Sequence, residues 1–174
     1  MIYLLDVNAL LAFRYVEHVH HSRVTNWISR CQLEHGRANV TLATCAITEL
    51  GFVRIAGGKS GLAESVVTAR GDLQNFKARE KFMFLCDDLG AERLPAWVVK
   101  PAQTTDGHLL FLARANQAHL ATLDERIPGA ELITETLGAP WMVKEPAVRY
   151  GSVATPAHGG LRRNAAGTMY ARAR

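Results

Sequence analysis

The chain is poor in cysteine, and its few cysteines are not spaced as metal ligands or disulfide partners. Cys31, Cys45 and Cys86 are odd in number, form no C-x-x-C pair, and each lies within an apolar helix or strand pattern. This pattern predicts three buried free thiols. It argues against a disulfide scaffold and against a cysteine-rich zinc module.

Long apolar runs are also missing. No run approaches the roughly 20 residues that a membrane-spanning helix needs. The N-terminus has neither the basic segment nor the small-residue cleavage site of a signal peptide. We therefore expect a cytoplasmic protein without membrane association. At 174 residues and 48% hydrophobic content, it has the size of one domain with a good core.

Excess positive charge is absent from most of the chain. Residues 1–148 carry 15 Lys plus Arg against 16 Asp plus Glu, so the overall charge of +4 arises from residues 149–174. That tail is rich in Gly, Ala, Ser, Thr and Pro and lacks apolar periodicity, which predicts little structure of its own. Its basic residues, which meet no acid, are Arg149, Arg162, Arg163, Arg172 and Arg174.

Apolar runs and amphipathic stretches alternate before the tail. Met1–Leu5 resembles a buried strand, with Asn8 as the N-cap of the following helix, and a helix is predicted over residues 21–35 before Gly36. Strands separated by helices require crossover connections. We expect an α/β fold of three layers, α/β/α, with a mainly parallel sheet of four to five strands and helices on both faces. Further strands are predicted at residues 40–42, 82–85, 120–123 and 132–133, and further helices begin at Thr44, near Leu62, and at Thr104 or Thr105.

Four acidic residues stand where a strand ends or a helix begins: Asp6, Glu49, Asp106 and Asp124. The carboxyl ends of parallel strands share one edge of a sheet, where ligands bind. Two carboxylates 4 Å apart repel by roughly 4 kcal/mol at an effective dielectric near 20, unless a cation neutralises them. Oxygen ligands without a His or Cys set suit Mg²⁺ or Mn²⁺ rather than zinc.

Taken singly, these residues and their polar neighbours also fit roles that need no metal. An acid in the first turn of a helix, such as Asp106, compensates the helix dipole, and Glu49 alone is typical of a solvated helix. His18, His20 and His21 resemble zinc ligands, but they lack a second pair and favour a solvated helix start. Asp87-Asp88 could approach the same edge, although a turn or cap is the favoured interpretation.

Four stretches together resemble the PIN-domain ribonucleases, and among them the VapC-type toxins of bacterial toxin–antitoxin pairs. They occur in family order across residues 1–135, and the tail lies outside the resemblance. The stretches are Leu4-Leu5-Asp6-Val7-Asn8-Ala9-Leu10-Leu11-Ala12, Thr48-Glu49-Leu50-Gly51-Phe52-Val53-Arg54, Thr104-Thr105-Asp106-Gly107-His108-Leu109-Leu110 and Ala121-Thr122-Leu123-Asp124.

The resemblance implies a PIN-like nuclease domain over residues 1–148, followed by the tail. Asp6 and Asp106 would be the principal metal ligands, and Glu49 and Asp124 would complete the set. Asn8 and Thr122 would orient these groups. The implied activity is Mg²⁺-dependent cleavage of single-stranded RNA by a metal-activated water, leaving a 5′ phosphate and a 3′ hydroxyl.

The resemblance also implies partners. A small antitoxin would bring a basic or hydrogen-bonding side chain to the acidic site, and two copies of the chain would form a homodimer. The helix face of Leu62, Val66 and Leu73 is the candidate dimer contact if it is exposed. The candidate RNA contacts are Arg54, Arg162, Arg163, Arg172 and Arg174.

Two rival functions fit the sequence less well. A haloacid-dehalogenase-type phosphatase needs a second aspartate two residues after its nucleophile, and Asn8 stands at that position. A catalytically silent PIN-like module that binds RNA or protein would usually show a broken acidic quartet, whereas all four acids are present.

Overall fold

The computed structural model describes residues 1–59 and 62–135, and its centre is a five-stranded sheet. All strands are parallel, in the order β3-β2-β1-β4-β5. This confirms the predicted parallel sheet. The strands are β1 (Ile2–Leu5), β2 (Thr41–Cys45), β3 (Met83–Leu85), β4 (His119–Thr122) and β5 (Glu131–Leu132).

In the described residues, five α-helices lie on the connections between β1 and β4, and no helix lies between β4 and β5. Short 3₁₀ helices occupy Arg37–Asn39, Ala91–Arg93 and Pro101–Gln103. The α-helices are α1 (Val7–Arg14), α2 (His21–His35), α3 (Ala46–Ala56), α4 (Val66–Glu80) and α5 (Thr104–Ala115). In the described part of the chain, no helix is long and apolar enough to cross a membrane.

The central strand divides its side chains between two cores. Tyr3 and Leu5 pack with α1 to α4 on one face, while Leu4 packs with α5 on the other. Because successive side chains of a strand point to opposite faces, a strand covered on both sides must be apolar throughout. This explains the continuous apolar run of β1. The three layers, α/β/α, are those predicted.

The chain changes direction at β1. It adds β2 and β3 on one side of β1, then crosses with α5 to place β4 on the other side. A crevice at such a switch point, beyond the carboxyl ends of the strands, is the usual ligand site of an open α/β sheet. Asp6 follows β1, and Asp124 lies just beyond β4.

Several predicted helix starts were wrong by a few residues. Asp6, not Asn8, is the N-cap of α1, and its carboxylate accepts the Ala9 N–H. Cys45 caps α3 in a capping box with Thr48, so Thr44 belongs to β2. In both places an extended strand residue meets the helix one or two positions away from where propensity suggests.

The other two helix starts also differ from the prediction. Gln103 is the N-cap of α5, because Pro101–Gln103 forms a 3₁₀ turn that runs directly into Thr104. Helix α4 begins at Val66, where the Ser65 hydroxyl accepts the Thr68 N–H, and leaves Leu62 outside.

One burial prediction was partly wrong, and the condition set for the dimer face is not met. Cys31 and Cys45 are buried free thiols, but Cys86 is exposed because it follows the three-residue edge strand β3. The proposed dimer face is not an exposed stripe. Leu73 lies in the core, Leu62 packs against it, and only Val66 is exposed.

Candidate metal and nuclease site

Asp6 is the most enclosed acid of the site. Its side chain is buried at the end of β1, where Oδ1 accepts the Ala9 N–H at 2.6 Å and Oδ2 accepts the hydroxyl of Thr122. The backbone N–H of Asp6 also donates to the carbonyl of Ala121 on β4 at 3.0 Å. These contacts fix the carboxylate at the junction of β1 and β4.

Thr122 connects two of the predicted acids. Its hydroxyl donates to Asp6 and accepts the backbone N–H of Asp124 at 3.0 Å. A hydroxyl can perform both roles at once because it carries one donor and two acceptor sites. The resemblance predicts an orienting role for Thr122, and its position fits that role.

Asp124 forms an ion pair with Arg126. The guanidinium donates from Nε to both carboxylate oxygens at 2.9 and 3.2 Å and from Nη2 at 2.7 Å, and the Arg126 backbone N–H adds a bond of 2.9 Å. These hydrogen bonds hold the pKa of Asp124 below its ordinary value. Arg126 was not predicted from the sequence, although its place two residues after the acid was a usable signal.

Asp106 lies on α5, which packs on the face of the sheet opposite to α1 to α4. It lies in the first turn of α5, two residues from its start. A β-carbon at Gly107 would lie 2.3 Å from Cγ2 of Val98, so the segment before α5 packs closely against this turn. That close packing requires a glycine next to Asp106.

The three aspartates influence one another electrostatically. Burial raises the pKa of Asp6 most, and the charges of Asp106 and Asp124 raise it further against the opposing hydrogen bonds. Burial also raises the pKa of Asp106, followed by the charge of Asp124, with Arg126 acting in the opposite direction. The fold therefore gathers three acids whose charges oppose one another.

Glu49 is held differently. Its Oε1 accepts the hydroxyl of Thr44 at 2.6 Å and a bond from Nζ of Lys77, which reaches it from α4. Glu49 lies on α3, and a β-carbon at Gly51 would lie 2.5 Å from Cγ2 of Val7, so α3 and α1 are in close contact. The sequence did not predict Lys77, which lies 28 positions away.

Within residues 1–59 and 62–135, no three His, Cys, Asp or Glu side chains already form a group that could hold a metal ion. Three of the four predicted acids instead have a local partner: Thr122 for Asp6, Arg126 for Asp124 and Lys77 for Glu49. Carboxylates without a cation repel, and such partners reduce that repulsion. A hard cation fits the all-oxygen donor set of the aspartates and would relieve the burial of charge at Asp6.

The remaining candidates are less directly connected to the aspartates. Asn8 is exposed on α1 beside Asp124, and the described bonds to Asp6 come from Ala9 and Thr122 instead. Arg54 is exposed in the last turn of α3, away from the carboxyl ends of the strands. The four tail arginines predicted to contact RNA lie outside the described residues, as does the boundary at residue 148.

Asp87 lies in the irregular segment that follows β3. Its Oδ1 accepts the Leu89 N–H at 3.4 Å, and its carboxylate contacts Nε2 of His108 at 2.8 and 2.9 Å. His108 lies on α5 two residues after Asp106. This pair therefore ties the segment after β3 to the helix that carries Asp106.

The histidines of the α1–α2 loop show no zinc-like arrangement. His21 Nδ1 lies 2.8 Å from the carbonyl of Ala12, and His18 Nδ1 accepts the backbone N–H of His20 at 3.2 Å. These bonds close the loop onto α1. The prediction of a helix start is correct for His21, where α2 begins, but His18 and His20 are only half-exposed.

The fold is similar to that of a solved toxin–antitoxin structure. A chain in the crystal structure of VapBC2 from Rickettsia felis, bound to a DNA fragment from their promoter, aligns with a TM-score of 0.51 at 19% identity. The match covers 76% of this chain and 97% of that chain. The α/β/α architecture is thus that of a PIN-like domain.

Sequence comparison identifies the family. Ribonuclease VapC38 of Mycobacterium tuberculosis is 39% identical over 127 residues, which cover 70% of this chain and 84% of that protein. Ribonucleases VapC29 and VapC44 of the same species are 34% and 33% identical over 125 and 139 residues, covering 71% and 73% of this chain and 86% and 92% of theirs. No protein-family model matches the chain. The chain belongs to the VapC-type PIN-domain ribonucleases, a family of toxins.

Proposed function

We propose that this chain is a Mg²⁺-dependent endoribonuclease that cleaves single-stranded RNA, with Mn²⁺ as a possible substitute, and that it is the toxin of a toxin–antitoxin pair. The observation that supports the proposal is the electrostatic coupling of Asp6 and Asp124, at the carboxyl ends of β1 and β4, with each other and with Asp106. The relatives named as ribonucleases support the reaction class.

The residues at this edge of the sheet would have different roles. Asp6 and Asp106 would hold the cation, with Asp124 as a further ligand, while Thr122 keeps the Asp6 carboxylate and the backbone at Asp124 in place. When bound, the cation would neutralise phosphate charge and activate the attacking water. Glu49 would join the set after its bond to Lys77 is released, which makes Lys77 a competitor for the fourth acid.

The site also indicates how a protein partner could inhibit it. Arg126 already places a guanidinium on Asp124 through three side-chain hydrogen bonds. A basic side chain from a small antitoxin could engage Asp6 and Asp106 by the same chemistry and so exclude the cation. The VapBC2 neighbour supports an antitoxin partner. The homodimer implied by the resemblance stays a prediction.

The decisive experiment uses purified protein with one RNA sequence in single-stranded and hairpin forms, in Mg²⁺, Mn²⁺ or EDTA. We expect cleavage of the single strand only with metal, giving 5′ phosphate and 3′ hydroxyl ends. Asp6→Asn and Asp106→Asn should each lose more activity than the roughly 10–100-fold typical of an outer partner. Thr122→Val, which removes such a partner, should fall within that range.

Glu34→Gln is the matched control, because Glu34 is an exposed acid on α2. It should cleave like the wild type. Cleavage that resists EDTA, or that survives both aspartate substitutions, would contradict the metal assignment. RNA binding without cleavage under every metal condition would favour the silent binding module instead.

A further inference from the structure

A second concavity adjoins the acidic site beyond Asp124. It is a cleft of about 650 Å³, between the loop of residues 15–20 and the turn of residues 123–126, with Asn8 at its side. Ligand sites typically measure about 300–1,000 Å³, so the cleft can hold a nucleotide. Asn8 and Arg126 adjoin the metal site proposed above, whereas His18, Val19 and His20 have no part in its chemistry.

One wall of the cleft carries two imidazoles. The rings of His18 and His20 are 5.8 Å apart and inclined at 49°. Burial lowers the pKa of His18, and the neighbouring His20 and His21 lower it further, which favours the neutral ring. Because Nδ1 accepts the His20 N–H, the neutral ring carries its proton on Nε2 and can donate there.

The loop that presents these rings is anchored at both ends. The N–H of His18 donates to the carbonyl of Tyr15 at 3.1 Å, and that of His21 donates to the carbonyl of His18 at 2.8 Å. At the tip, Val19 is 86% exposed although it is apolar. A pre-ordered loop with an apolar tip and flat polar rings suits an unstacked nucleobase.

The opposite wall offers one cation. Nε and Nη2 of Arg126 donate hydrogen bonds to Asp124, and the described residues provide no partner for Nη1. Its side chain is 89% exposed, so Nη1 can donate to a phosphate oxygen while the ion pair persists. Asp124 and Glu125 make the rest of this wall acidic and therefore unsuitable for phosphate.

We propose that this cleft binds the nucleotide next to the cleaved linkage of single-stranded RNA, with its base against His18 and Val19 and its phosphate on Arg126. The inference rests on the proposed nuclease function and adds a subsite to it. Base stacking tolerates any sequence, since every base has a π-face. The subsite therefore gives affinity and register rather than a fixed target.

The test measures binding of a short fluorescent single-stranded oligoribonucleotide in Ca²⁺, together with cleavage in Mg²⁺. His18→Ala should weaken binding by roughly 5–50-fold, within the range for loss of one stacking partner, and His18→Phe should restore much of it. Val19→Glu should also weaken binding, and it changes an exposed position. Arg126→Gln should flatten the slope of log affinity against log salt by about 0.7.

Arg79→Gln is the matched control. Arg79 is also ion-paired with an adjacent acid, but it lies near the end of α4, toward the start of β3 and away from the acidic edge. It should leave affinity, the salt slope and cleavage unchanged.

The outcomes separate the two proposals. If the wild type binds RNA and the cleft variants bind equally well, the subsite is wrong whatever the cleavage result. If binding falls in the variants but the wild type cleaves in neither Mg²⁺ nor Mn²⁺, the nuclease proposal fails and the cleft stands as an RNA site. If the wild type binds no RNA, both are wrong.

Discussion

Replacing Asp6 by asparagine removes one buried charge and keeps its shape. Asparagine is about as good an N-cap as aspartate, so Oδ1 can still accept the Ala9 N–H. The new amide can donate to the Thr122 hydroxyl, which has a second acceptor site besides the one used by Asp124. The main change in the metal-free protein is therefore electrostatic.

The size of that change follows from the neighbours of Asp6. Burial of the Asp6 charge is the largest effect that the substitution relieves, and repulsion from Asp106 adds to it, while the Asp124 charge is offset by Arg126. Two like unit charges repel by about 4 kcal/mol at 4 Å and an effective dielectric near 20, and by proportionally less at a greater separation. We expect Asp6→Asn to raise the free energy of unfolding in EDTA by about 1–2 kcal/mol at neutral pH.

Thermal unfolding with and without metal tests this reasoning. For a chain of this size, each kcal/mol shifts Tm by about 2–4 °C. Mg²⁺ at 100 times its Kd should stabilise the wild type by about 2.7 kcal/mol and the variant by much less. The order of the two melting temperatures should therefore reverse when EDTA is replaced by saturating Mg²⁺.

Asp6→Ala provides the comparison that isolates the cap. It removes the same charge but also the N-cap, which costs about 0.5–2 kcal/mol, so it should melt below Asp6→Asn in EDTA. If Asp6→Asn is less stable than the wild type in EDTA, the buried charge of Asp6 does not destabilise the metal-free fold. If Mg²⁺ shifts both proteins equally, Asp6 is not a metal ligand.

Three further predictions concern pH, the fourth acid and the tail. Folding raises the pKa of Asp6 and Asp106, so between the ordinary aspartate pKa of about 3.9 and the raised values the folded chain binds more protons than the unfolded chain. The free energy of unfolding without metal should therefore fall as pH rises through this range, and less steeply in Asp6→Asn. Equal pH slopes for the two proteins in urea unfolding would contradict this. Lys77→Gln should free Glu49, so calorimetry should find tighter Mg²⁺ binding. The substitution should cost less than about 1 kcal/mol of stability, because both partners of the ion pair are partly exposed. Unchanged Mg²⁺ affinity would exclude Glu49 from the metal site. Truncation after Tyr150 should flatten the salt slope of RNA binding by about 1–3 units while cleavage of saturating RNA stays the same, and an unaltered slope would leave the tail without a role in binding RNA.

The sequence alone determined the α/β architecture and the position of Asp6 at one edge of the sheet. An apolar run that stops at Asp6 predicts a strand buried on both faces, because only such a strand needs no alternation. The stripe that ends before Gly36 predicted α2 with both of its bounds. These signals are local: they depend on which neighbours along the chain share a buried face.

Only the tertiary structure decided how the acids are held. Thr122 and Asp6 are 116 positions apart, and Lys77 and Glu49 are 28 apart, so each pair exists only because the sheet order and the packing of α3 against α4 bring them together. The ion pair of Asp124 with Arg126 is near in sequence but depends on the turn after β4. A local pattern of apolar residues determines which face of a helix or strand is buried. Contacts between residues of different helices and strands depend on distances that no local pattern encodes.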